Sequence, residues 1–68
     1  MVTLEEKESL GFKKSGKNQW TLNKDGREIV LTLGVYWYYL IGERQGEGLK
    51  MLYTGKIDNV KQLKNIIS

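Results

Sequence analysis

A stretch of 68 residues has room for a single domain, 1–68, and folding at this size hides only about 60% of the surface that the unfolded chain exposes. With no Cys and no His, disulfides and zinc centres are excluded as staples, so packing must hold the fold. Eleven Lys and Arg against eight Asp and Glu leave +3, too small a surplus to choose between nucleic acid, an acidic protein face and plain solubility.

The segment Met1-Val2-Thr3-Leu4-Glu5-Glu6-Lys7-Glu8 is acidic and polar where an export signal is basic and then apolar. The longest apolar run, Val35 to Ile41, is about a third of the ~20 residues that cross a bilayer. A cytoplasmic protein without membrane contact is expected.

Thr3 and Glu6 form a capping box, which predicts a short helix from Leu4 to about Leu10, with Gly11 as its left-handed cap and Phe12 folding back on the last turn. Lys13 to Asn18 is polar and contains Gly16, the composition of a loop. Alternation of Trp20 and Leu22 with polar neighbours predicts a strand over 18–24, and Asp25-Gly26 a type I′ hairpin that pairs Leu22 with Ile29 and Trp20 with Leu31. After the strand from Arg27 to Leu33, Gly34-Val35 fits a two-residue type II′ turn. That turn sets Leu33 opposite Tyr36 and Leu31 opposite Tyr38.

Tyr36 to Ile41 is apolar on both faces, as in a central strand. Gly42 to Gly48 reads as a flexible hairpin loop, with the register across 43–48 left open, and Leu49 to Thr54 as a further strand with Met51 opposite Leu40. Asp58 is the expected N-cap of a closing helix whose apolar positions are Val60, Leu63, Ile66 and Ile67. The expected fold is α+β: a short N-terminal helix, a three- to four-stranded antiparallel meander, and a C-terminal helix packed on one sheet face.

In this register the core face carries Trp20, Leu22, Ile29, Leu31, Leu33, Tyr36, Tyr38, Leu40, Leu49, Met51 and Tyr53. The opposite face gathers Val30, Trp37, Tyr39, Ile41, Lys50 and Leu52 as candidate partner-binding residues, rimmed by Glu28, Thr32 and Thr54. Trp37 and Tyr39 beside Lys50 suit stacked bases as well as a protein interface, while Lys13, Lys14 and Lys17 are possible nucleic-acid contacts. Two coverings compete with both readings: the N-terminal helix, or a second copy in a homodimer.

Catalysis lacks its usual parts. Without His or Cys, the commonest general base and the best nucleophile are missing, and Ser9, Ser15 and Ser68 have no evident activating base. Gly42-x-x-x-Gly46-x-Gly48 matches neither phosphate-binding glycine fingerprint. No enzyme activity, cofactor or metal is expected.

The helix, three strands and helix resemble the double-stranded-RNA-binding domain in layout, although no Gly-Pro-x-His joins the strands here. A three-stranded sheet with a capped helix is also similar to the DNA-binding domains of phage integrases and plant AP2 factors, whose sheets are more basic than Glu28, Thr32, Trp37, Tyr39 and Leu52. Leu10-Gly11-Phe12, a Trp-containing hairpin, and Tyr53-x-Gly55-Lys56-Ile57 leading into Val60-x-x-Leu63-x-x-Ile66 resemble small accessory proteins of phages and mobile elements. That resemblance implies a non-enzymatic, stoichiometric inhibitor of a host nucleoprotein defence complex, in the manner of anti-CRISPR proteins, with a protein or ribonucleoprotein partner.

Overall fold

The computed structural model describes residues 2–68, and its local signals at the N-terminus act as the sequence predicts. Thr3 Oγ1 accepts from the Glu6 N–H at 3.1 Å, while Glu6 Oε1 accepts from the Thr3 N–H at 2.9 Å. Helix α1 (Leu4–Ser9) follows and ends in a Schellman motif, in which Phe12 N–H donates to the Lys7 carbonyl and Gly11 N–H to that of Glu8. Gly11 makes this stop possible at φ 101°, and the reversal delivers Phe12 into the core.

Five antiparallel strands succeed one another as a meander: β1 (Lys13–Gly16), β2 (Gln19–Lys24), β3 (Arg27–Leu33), β4 (Tyr38–Gln45) and β5 (Gly48–Lys56). The first corrects the expected loop at 13–18. Polar residues make an edge strand here because the backbone ladder to Trp20 and Thr21 forms regardless of side chain, and Ser15 and Thr21 hydroxyls meet at 2.8 Å. Its brevity, its irregularity after Lys14 and its lysines are devices that protect an open edge.

Between β2 and β3 the Asp25-Gly26 turn has positive φ at both central residues, and Leu22 pairs with Ile29 and Trp20 with Leu31 as expected. The next connection departs from expectation. Gly34 is extended (φ −95°, ψ −167°) and does not take the positive φ of a type II′ turn, and the chain spends Val35–Trp37 in a further tight turn, closed by the Tyr38 N–H donating to the Val35 carbonyl, before β4 begins. Leu33 therefore faces Tyr39, not Tyr36, and Leu31 faces Ile41, not Tyr38. A shift of three residues is odd, so every side chain of β4 changes face.

The β4–β5 hairpin is also tighter than the expected loop at 42–48. The strands extend to Gln45 and Gly48 around Gly46-Glu47, and this end of β4 is tied to β3 by paired charges: Arg27 Nη2 to Glu43 Oε1 at 2.6 Å, and Arg44 Nε to Glu28 Oε2 at 2.9 Å. The tighter turn shifts the expected pairing by two residues and a bulge at Leu52, between the Ile41–Tyr53 and Gly42–Met51 pairs, by one more, so Leu40 stands opposite Thr54 rather than Met51.

Helix α2 (Val60–Ile67) starts one residue later than expected, with Asn59 Oδ1 accepting from the Gln62 N–H at 2.9 Å while the Asp58 N–H donates to Gln62 Oε1. Leu63 and Ile67 are its buried contacts, and Arg27 Nη1 caps its end at the Ile67 carbonyl. Both helices cover one sheet face, over a core of Val2, Phe12, Trp20, Leu22, Ile29, Leu31, Tyr39, Ile41, Ile57, Leu63 and Ile67. Among the described residues no helix is long and apolar enough to cross a membrane.

The Arg27 clamp gives the fold an acid dependence. Its hydrogen bond holds the Glu43 carboxyl below the ordinary value of 4.5, with the charge of Arg27 and then of Lys50 adding to the effect. A depressed carboxylate contributes stability above its ordinary pKa and loses it as pH falls through the folded value. Thermal unfolding followed from pH 6 to pH 3 is expected to show a steeper loss for the wild type than for Glu43→Gln.

Candidate functional site

The odd shift in β4 rearranges the predicted binding face. Tyr39 is 1% exposed and Ile41 is wholly buried, so neither belongs to a binding surface; both are core, opposite Leu33 and Leu31. Leu52 is half-buried at the bulge, and Val30 is buried although it lies on the outer sheet face. Lys50 is exposed but stands opposite Glu43, on the helix-covered side near the far end of the sheet. Only Trp37 retains an exposed aromatic ring among the six.

The residues turned outward in exchange are Tyr38, Leu40, Leu49 and Met51, all of them expected in the core. Tyr36, expected there too, projects from the β3–β4 turn. Sequence reasoning missed these because β4 is apolar on both faces and either register buries large side chains. The run Val35-Tyr36-Trp37-Tyr38-Tyr39 was the available signal, since a two-residue turn leaves no place to display so many large groups.

The turn is the most unusual local feature of the chain. Tyr36 (φ 56°) and Trp37 (φ 62°) both occupy the left-handed region, at a cost of about 1–3 kcal/mol each for bulky residues. Gly34 closes the turn by donating to the Tyr38 carbonyl at 2.7 Å, and the Leu33 N–H donates to the Asn18 carbonyl at 2.8 Å, tying it to the neighbouring β1–β2 turn. Tyr36 is 81% exposed, Trp37 58% and Tyr38 49%. Three successive rings thus stand in solvent on a backbone that is fixed.

Trp37 borders two open clefts of about 380 Å³, one lined with Tyr39, Lys56, Ile57 and Asp58, the other with Asn18, Leu33, Gly34 and Tyr36. Lys56 Nζ lies 5.7 Å from the Tyr38 ring centroid. The remaining lysines do not converge. Lys13 shares a face with Thr21 and Lys14 with Trp20, so adjacent residues of β1 point to opposite sides of the sheet, and Lys17 sits in the β1–β2 turn. This is a scattered charge distribution rather than a phosphate cradle.

Behind the site, Lys7 is buried with its Nζ 3.8 Å from the Trp20 ring centroid and 5.6 Å from that of Tyr39. Desolvation, and secondarily the charge of Lys14, lowers the Lys7 pKa below 10.5. The Trp20 indole N–H and the Tyr39 hydroxyl are buried without a hydrogen bond of ordinary geometry among the described residues. Burial raises the Tyr39 pKa, opposed by the backbone of Val2.

No family model, no curated protein and no solved structure matches the chain.

Proposed function

We propose that this protein is a non-enzymatic binding module that occupies a protein or ribonucleoprotein partner stoichiometrically through its Val35–Tyr38 turn. The observation that carries the reading is the display of Tyr36, Trp37 and Tyr38 on a backbone held in the left-handed region. Strain of this kind persists where the surrounding structure over-determines it, and functional sites are where it concentrates. Exposed Trp and Tyr beside clefts are also the residue types that dominate interface energetics. The resemblance to phage and mobile-element accessory proteins gives the reading its specific form, inhibition of a host nucleoprotein defence complex such as a CRISPR effector.

Stacking of unpaired bases on the same rings is the alternative. The division of Lys13 and Lys14 between opposite faces counts against it, because single-strand binders line a continuous basic groove.

A pull-down from host lysate, run with wild-type protein and Trp37→Ala in parallel, tests the proposal. The wild type is expected to retain a protein partner in stoichiometric amount. Loss of the Trp37 anchor should weaken that complex by about 2 kcal/mol or more, roughly thirtyfold. Recovery of no protein partner, or equal retention by Trp37→Ala, would reject it, and binding to bare RNA that weakens steeply with salt would favour the alternative.

A further inference from the structure

The outer face of the sheet has no element of this chain upon it, yet it is not built for water. One-sided antiparallel sheets alternate apolar with polar residues. β4 instead places Leu40 outward beside buried Ile41, and β5 places Leu49 and Met51 outward on the same face. Leu49 folds over Gly42, where an added Cβ would lie 2.7 Å from the Leu49 Cγ. The sheet glycine therefore makes room for the Leu49 side chain to lie on the outer face.

The charges on this face are arranged at its ends. Across β3, β4 and β5 the central rows run Thr32, Leu40, Thr54 and Val30, Gly42, Met51 without a charge, and Lys13 joins the second row only at the β1 edge, beside Thr21. At one end Glu28 and Arg44 pair with each other, and at the other Lys56 stands by Tyr38. A neutral centre offers nothing to a phosphate backbone or to a strongly charged partner, but packs on its own copy without repulsion.

We propose that this face is the interface of a symmetric homodimer, two copies packed sheet to sheet about a two-fold axis running across the strands. That axis lays the Leu40 row of one copy on the Met51 row of the other. It also brings the Tyr38–Lys56 end against the Glu28–Arg44 end of the second copy, where β4 lies over β4 and the Tyr38 ring meets the Arg44 guanidinium. The molecule measures 30 × 23 × 23 Å, so such a face hides on the order of 1,000–1,400 Å² in total, reaching the range of stable interfaces. The dimer doubles the number of turns presented, which raises avidity for a repetitive target.

Analytical ultracentrifugation of the full chain up to millimolar concentration, with circular dichroism to verify folding, tests this. The wild type is expected at twice the monomer mass. Leu40→Glu and Met51→Lys are each expected at the monomer mass with cooperative melting retained, and mixing the two variants at low salt should restore a dimer. A monomeric wild type at every concentration overturns the proposal. So does a dimer that survives both substitutions, or one that dissociates with Trp37→Ala while tolerating Met51→Lys. Since Trp37→Ala is otherwise expected to stay dimeric, loss of partner capture and loss of the dimer are separable failures.

Discussion

Tyr39→Ala is expected to abolish cooperative unfolding of this domain, while the same substitution at the adjacent Tyr38 leaves its melting nearly unchanged. Tyr39 is buried opposite Leu33, and emptying such a site costs about 3–5 kcal/mol in transfer and cavity terms. A chain of 68 residues has a total stability of only about 3–10 kcal/mol. Tyr38, half-exposed on the outer face with the Lys56 ammonium 5.7 Å from its ring centroid, stands to lose less than about 1 kcal/mol. Urea titrations followed by far-ultraviolet dichroism give the comparison directly. The opposite order would mean that β4 pairs with β3 through a two-residue turn, with Tyr38 inside.

That contrast marks the boundary of what the residues reveal in advance. The capping box at Thr3, the Schellman stop at Gly11 and the hairpin at Asp25-Gly26 were legible because each is a local backbone requirement satisfied by few residue types. The alternation in β2 and β3 was legible too, because only one face of each strand is strongly apolar. Tyr38-Tyr39-Leu40-Ile41 carries no such information. Its two faces are equally hydrophobic, so register is decided by the turn, in which Tyr36 and Trp37 occupy the left-handed region that their residue types do not announce. The predicted faces inherited this ambiguity: Trp37 is exposed as expected, Tyr39 and Ile41 are core rather than surface, and Tyr36 and Tyr38 are surface rather than core. β1 was invisible for a different reason, since an edge strand protected by lysines has the composition of a loop.

Lys7→Met is expected to stabilise the protein by about 1–3 kcal/mol at pH 7, with the advantage shrinking toward pH 10. Lys7 is 4% exposed, and its ammonium lies against the faces of Trp20 and Tyr39. Such cation–π contacts return up to about 2 kcal/mol, whereas removing an ammonium from water costs several. Desolvation therefore wins, as the downward shift of the Lys7 pKa requires. Between that lowered value and 10.5 the unfolded chain binds more protons than the native one, so wild-type stability rises with pH through this window. Tyr39 acts in the opposite sense above pH 10: its raised pKa keeps the native hydroxyl protonated while the unfolded one ionises, and stability falls. Melting temperatures measured from pH 7 to 10 should climb for the wild type once pH passes the lowered Lys7 value and stay level for Lys7→Met, and Tyr39→Phe should remove the decline beyond that point. A wild-type curve that stays level from pH 7 to 10, or a Lys7→Met variant less stable than wild type at pH 7, would show that the aromatic pair outweighs desolvation and that Lys7 fastens α1 to the sheet.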